Sequence, residues 1–145
     1  MKQILIFLLL ILSLNVNAQD TLKKDHKLLQ IGLLTTSVVT GALGDGLNSR
    51  MYYKSGHILS AASYVSLLAV PVFTHVSKHN AIKYVVSYTL IRYSLFDAFY
   101  NIGAHRNINY IGGKNYYDES VGRMPLGVFN TTKIASIGLV IYLNK

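Results

Sequence analysis

The chain has no cysteine and no tryptophan, only two prolines, and six acidic residues against 14 lysines and arginines in 145 positions. Without cysteine there is no disulfide framework, no thiolate metal site and no cysteine nucleophile. The two prolines, Pro71 and Pro125, mark no linker, and no repeat or low-complexity tract divides the sequence. Also missing are a Gly-x-Ser-x-Gly elbow, a His-Glu-x-x-His pair, a phosphate loop and a dinucleotide fingerprint. No cofactor is implied. His75 and His79 have helical i,i+4 spacing but no nearby carboxylate, so no metal site is expected.

The scarce charge is basic on balance, which suits nucleic acid or anionic lipid. No nucleic-acid motif accompanies it, and the cations fall mostly between apolar runs, where membrane-flanking residues belong. Membrane lipid is therefore the expected partner, and nucleic acid is not. Eleven tyrosines, several of them at the edges of apolar runs, fit the headgroup layer.

Met1-Lys2-Gln3 precedes an apolar run from Ile4 to Leu14. That run is about 11 residues long, too short for a hydrocarbon core of roughly 30 Å. Val16 and Ala18 then occupy the spacing of a signal-peptidase site. Residues 1–18 read as a cleaved signal peptide and 19–145 as one domain.

Residues 28–47 have span length and no charge before Asp45. Ser37, Gly41 and Asp45 form one stripe of small residues on this segment, with Thr36, Thr40 and Gly44 beside it. A second span covers 57–76 and contains Pro71, which frees the carbonyl of Leu67 and predicts a kink. The third, 81–102, is amphipathic. Ser87, Ser94, Asp97 and Asn101 share one of its faces, and Tyr93 reaches Asp97 at i,i+4. Arg92 points away from Asp97 and must snorkel, meet another helix, or mark this segment as not lipid-embedded. Residues from Gly103 to about 131 form a long Gly/Tyr-rich segment. A short last span, 131–143, reaches full length only if extended back to Pro125, which brings in Lys133.

The fold expected is all-α: a small polytopic helical membrane bundle of three to four helices after a cleaved signal peptide. Its expected location is the bacterial inner (cytoplasmic) membrane. Two alternatives compete. An outer-membrane barrel needs at least eight strands of about 9–11 alternating residues, whereas LLAVPVF and SIGLVIYL are continuous. A soluble periplasmic helical domain would suit the Ser/Thr-rich spans, Arg92 and Asp97.

Up-and-down helices bring the end of the first span, the start of the second and the end of the third to one membrane face. Asp45, Arg50, His57, Asp97, Asn101, His105 and Arg106 collect towards it. Asp97, His57 and Asp45 are the catalytic candidates, and Arg92, Asn101, His105 and Arg106 the ligand-binding ones. Each has a plain structural role available: Asp45 as a helix terminator, His57 as an interfacial residue, Asp97 with Asn101 as a packing network. Export places Gln19 outside and this face in the cytoplasm, which its cations favour. Lys23, Lys24 and Lys27, on the other side, oppose that orientation.

Three functions follow from these features. The first is a non-enzymatic accessory or structural component that packs against an envelope protein or a second copy of itself. The second is a membrane-face hydrolase acting on a lipid or envelope precursor. The third is a small transporter or channel subunit with the Ser87–Asn101 stripe lining an oligomeric path.

Overall fold

The structure, a computed structural model, describes residues 27–74, 78–111 and 122–144. The expected signal peptide and its cleavage site lie outside the described residues, as do His75, the side chain of His79 and the middle of the Gly/Tyr segment. Four long helices make up nearly all of the described chain: α1 (Lys27–Ser49), α2 (Tyr53–Phe73), α3 (Lys78–Gly103) and α4 (Leu126–Leu143). There is no strand among the described residues, which argues against the barrel.

The helices begin and end for local reasons. α1 closes with the Met51 N–H on the Asn48 carbonyl at 3.0 Å and the Tyr52 N–H on Leu47 at 3.1 Å. α3 closes the same way, with His105 donating to Ile102 at 3.1 Å and Arg106 to Asn101 at 2.8 Å. Both are Schellman caps, whose penultimate residue must be left-handed. Met51 has φ 65° and His105 φ 52°, although neither is glycine. α2 ends where Thr74 turns extended, at φ −129° and ψ 146°, with its N–H and hydroxyl both on the Val70 carbonyl. Pro71 lies inside this helix, as expected, but in its last turn, because α2 ends at Phe73 rather than at the expected 76.

The helices lie in the order α2–α1–α3–α4 across the bundle. α1 meets α2 along Ser37, Gly41, Gly44 and Asn48, a spacing of four, three and four. A methyl group on Gly44 would stand 2.8 Å from both the Gly56 carbonyl and the Ser60 hydroxyl. One on Gly41 would stand 2.9 Å from the Ser63 hydroxyl. The expected stripe is thus shifted. Gly44 and Asn48 continue it, while Asp45 turns outward. The drift follows from 3.6 residues per turn: a strict spacing of four slides off a straight contact line.

On its other side α1 crosses α3 backbone to backbone. A Cβ at Gly103 would lie 2.6 Å from the Leu43 carbonyl, and one at Gly46 would collide with the Tyr100 carbonyl. This contact sets the ends of α1 and α3 level. α4 runs antiparallel to α3, with Lys133 beside Ser94 and Asp97 near one end and Asn144 on Ser87 near the other. Leu34, Val38, Val70, Ile91 and Val140 form the core, drawn from all four helices.

Three helices, α1, α2 and α4, are long and apolar enough to cross a membrane. Two expectations change here. The expected short last span begins at Leu126 and has full span length, because the helix starts directly after Pro125 and includes Lys133. The expected third span is a helix over its whole length but is not among the three, since Asn80, Lys83, Arg92, Asp97 and Asn101 interrupt its apolar surface.

The outer surfaces of the spans are apolar. Tyr64, Val65 and Leu68 on α2, and Ile134, Leu139 and Ile141 on α4, are exposed. The many hydroxyls do not conflict with lipid. Thr40, Thr131 and Ser136 each donate to the carbonyl four residues back, at 2.7, 2.8 and 2.9 Å. A side chain bonded to its own helix presents no unmet donor to hydrocarbon. The property that favoured a soluble domain in the sequence is therefore compatible with a bilayer.

Candidate functional site

The polar residues divide into two groups. The first is the α3–α4 contact. Lys133 Nζ donates to Asp97 Oδ2 at 2.9 Å, with the Lys133 side chain 12% exposed and Asp97 34%. The ammonium also lies 4.1 Å from the Phe129 ring centre, one turn earlier on α4. Ser94 donates to the carbonyls of Leu90 and Lys133 at 2.7 and 3.0 Å. Tyr93, expected to reach Asp97, instead shares a 2.8 Å hydrogen bond with Thr132. Asn144 donates to Ser87 at 2.9 Å. The face of Ser87, Ser94 and Asp97 read from spacing is real, and α4 covers it.

Beside the ion pair, Ser94, Ala98, Tyr110, Phe129, Asn130 and Ile134 help line an open cleft of about 330 Å³. Apart from the ion pair its walls are neutral. Lys133 was not among the residues expected at a site. The signal for it was its place in an otherwise uncharged apolar run, where a cation needs a partner.

The second group is the end of the bundle where α1 and α3 finish and α2 and α4 begin. The Arg50 guanidinium lies 5.1 Å from the Tyr52 ring centre. His57 is exposed and stacks on Tyr53 at 6.4 Å. Arg106 lies 4.9 Å from the Tyr110 ring and 5.9 Å from Tyr100. Asn101, only 2% exposed, donates to the carbonyls of Ile108 and Tyr110 at 3.2 and 2.8 Å. It ties the loop after α3 back onto the helix and so holds Tyr110 near Arg106. Lys54 and His105 are exposed at the same end.

The convergence expected from topology therefore occurs at the level of helix ends but not as one constellation. No hydrogen bond or ion pair joins Asp45, His57 and Asp97 to one another among the described residues. Asp45 is exposed near the end of α1, His57 is on α2, and Asp97 is bound to Lys133. Arg92 is exposed on α3 with its guanidinium 4.1 Å from the Phe96 ring centre. Phe96 is one turn nearer the α3 C-terminus, so this stacking directs Arg92 towards the bundle end that holds the other arginines. No group of three or more His, Asp or Glu side chains gathers among the described residues.

Fold and surface together define a small helical bundle of the membrane class. No family model matches the chain, and no curated protein or solved structure matches it either.

Proposed function

We propose that the chain is a non-enzymatic accessory or structural component of a bacterial inner membrane. One observation carries this reading: four polar contacts inside the bundle join one helix to another, although Asn48 Oδ1 on the α1–α2 seam is buried without a hydrogen-bond partner among the described residues. Asp97 binds Lys133, Ser94 binds the α4 backbone, Asn144 binds Ser87, and Ser63 donates to the Ser37 carbonyl at 2.7 Å. A catalytic acid or base needs a proton-transfer partner within reach, and here the best-placed carboxylate already has a structural one. The apolar outer faces of α2 and α4 remain for lipid, an envelope protein or a second copy.

The test is photo-crosslinking in native membranes with a photoreactive residue at Leu68 or Ile134. A discrete adduct with an envelope protein or a second copy of the chain supports the reading. Recovery as the free monomer from both positions counts against it.

A membrane-face hydrolase is the second reading, favoured by the open cleft at the Asp97–Lys133 pair. Asp97→Asn separates the two. Loss of a lipid- or precursor-hydrolysing activity with melting unchanged supports the enzyme, and loss of stability supports the structural pair.

A further inference from the structure

We infer that Arg106, held at the end of α3, is a binding residue for the phosphate of an anionic phospholipid. The inference rests on the reading of the chain as a membrane protein and adds a ligand class to it. Its starting point is depth. α1 is a candidate span ending at Ser49, and the backbone contact of Gly46 with Gly103 sets the end of α3 level with it. The α4 span begins at Leu126, at the same end. Arg106 therefore stands just beyond the apolar length of the bundle, in the headgroup layer.

Its setting is constructed. The Schellman cap fixes the Arg106 backbone through the 2.8 Å bond to Asn101. The buried Asn101 side chain then fixes Ile108 and Tyr110 through their carbonyls. Two tyrosine rings, one from the helix and one from the tied loop, lie against the guanidinium. An aromatic face holds the cation without using its N–H groups, and a guanidinium presents them as a planar fork that fits a phosphate. Arg106 has no carboxylate partner among the described residues. Arg50 repeats the arrangement on a smaller scale beside Tyr52. Of the acidic residues described towards this end, Asp45 is exposed on α1, and Asp97, which lines the cleft that Tyr110 also lines, is paired with Lys133. At this depth the abundant anion is lipid phosphate, and an anionic headgroup carries no choline cation to shield it.

The test uses the full chain in phosphatidylcholine vesicles, with a donor fluorophore on Ser55→Cys in the otherwise cysteine-free protein. Traces of acceptor-labelled phosphatidylglycerol or phosphatidylcholine report which lipid gathers around it. The expected result is enrichment of phosphatidylglycerol by about fivefold, the scale of one basic residue at a membrane surface. Arg106→Gln should abolish most of it with helical content unchanged, and Lys54→Gln, which removes the same charge nearby, should keep it. Equal gathering of the two lipids overturns the inference. So does an equal loss in both variants, which would mean a diffuse basic surface. Loss of enrichment on adding millimolar inorganic phosphate at fixed ionic strength would assign the residue to free phosphate and overturn the lipid assignment. A chain that leaves the vesicles in carbonate fails the membrane reading itself. A chain that stays but shows no enrichment fails only this inference.

Discussion

Lys133 Nζ donates to Asp97 Oδ2 at 2.9 Å across the contact of α4 with α3. α3 is the least apolar of the four helices and α4 one of the most apolar, so the pair joins a polar helix to a membrane-span helix. Asp97→Asn would leave the ammonium, 12% exposed, without its counter-charge. The expected loss is about 2 to 3 kcal/mol, because breaking a buried pair from one side leaves an uncompensated charge. Lys133→Met should cost less, since the carboxylate is 34% exposed and keeps some water. Exchanging the two residues should recover part of the loss. Denaturant unfolding in detergent micelles measures all three.

Gly46 and Gly103 allow α1 and α3 to touch through their backbones. Gly46→Ala should cost about 2 kcal/mol or more, since the methyl group meets carbonyl oxygen and backbone nitrogen that have no rotamer to yield. Gly32→Ala, with nothing within 4 Å of the new Cβ, should gain up to about 1 kcal/mol from helix propensity. Opposite signs for the same chemical change, read by the same unfolding experiment, would establish the crossing point.

The left-handed residues at the two caps predict a gain. His105→Gly should stabilise the protein by about 1 kcal/mol, because an L side chain at positive φ is disfavoured and glycine is not. If Arg106 binds lipid phosphate, the cap must survive the change. Retention of phosphatidylglycerol enrichment in this variant, with a higher unfolding midpoint, is the expected pair of results.

The α1–α2 seam makes a smaller claim. Ser63 donates to the Ser37 carbonyl at 2.7 Å, and the two hydroxyls lie 3.2 Å apart. A double-mutant cycle of Ser37→Ala and Ser63→Ala should give a coupling of about 0.6 kcal/mol, typical of hydrogen bonds between helices in a membrane. The cycle isolates the contact between the two hydroxyls, so a coupling near zero would leave the Ser63 bond to the Ser37 backbone carbonyl and the glycines as the determinants of this seam.

Helices were the legible part of this sequence. Long apolar runs and the face of Ser87, Ser94 and Asp97 follow from periodicity alone. The seam register was not legible: Asp45 and Gly44 are neighbours in sequence, and only the crossing angle of the helices decides which of them faces α2. Tyr93 illustrates the same limit. Spacing allows it to reach Asp97, but a partner on another helix, Thr132, took its hydroxyl, and Lys133 took Asp97. Contacts within a helix can be derived from its period, whereas contacts between helices depend on packing that no single segment encodes. The Asn101 bridge to the following loop belongs to the second kind, and so does the placing of Arg106 against two rings.

The central claim, that this is an integral helical membrane protein, is tested most directly by washing membranes that contain it with alkaline carbonate. The account predicts that the chain stays in the membrane pellet and is released only by detergent, because the exposed faces of α1, α2 and α4 are held by hydrocarbon. Release into the carbonate supernatant would contradict it.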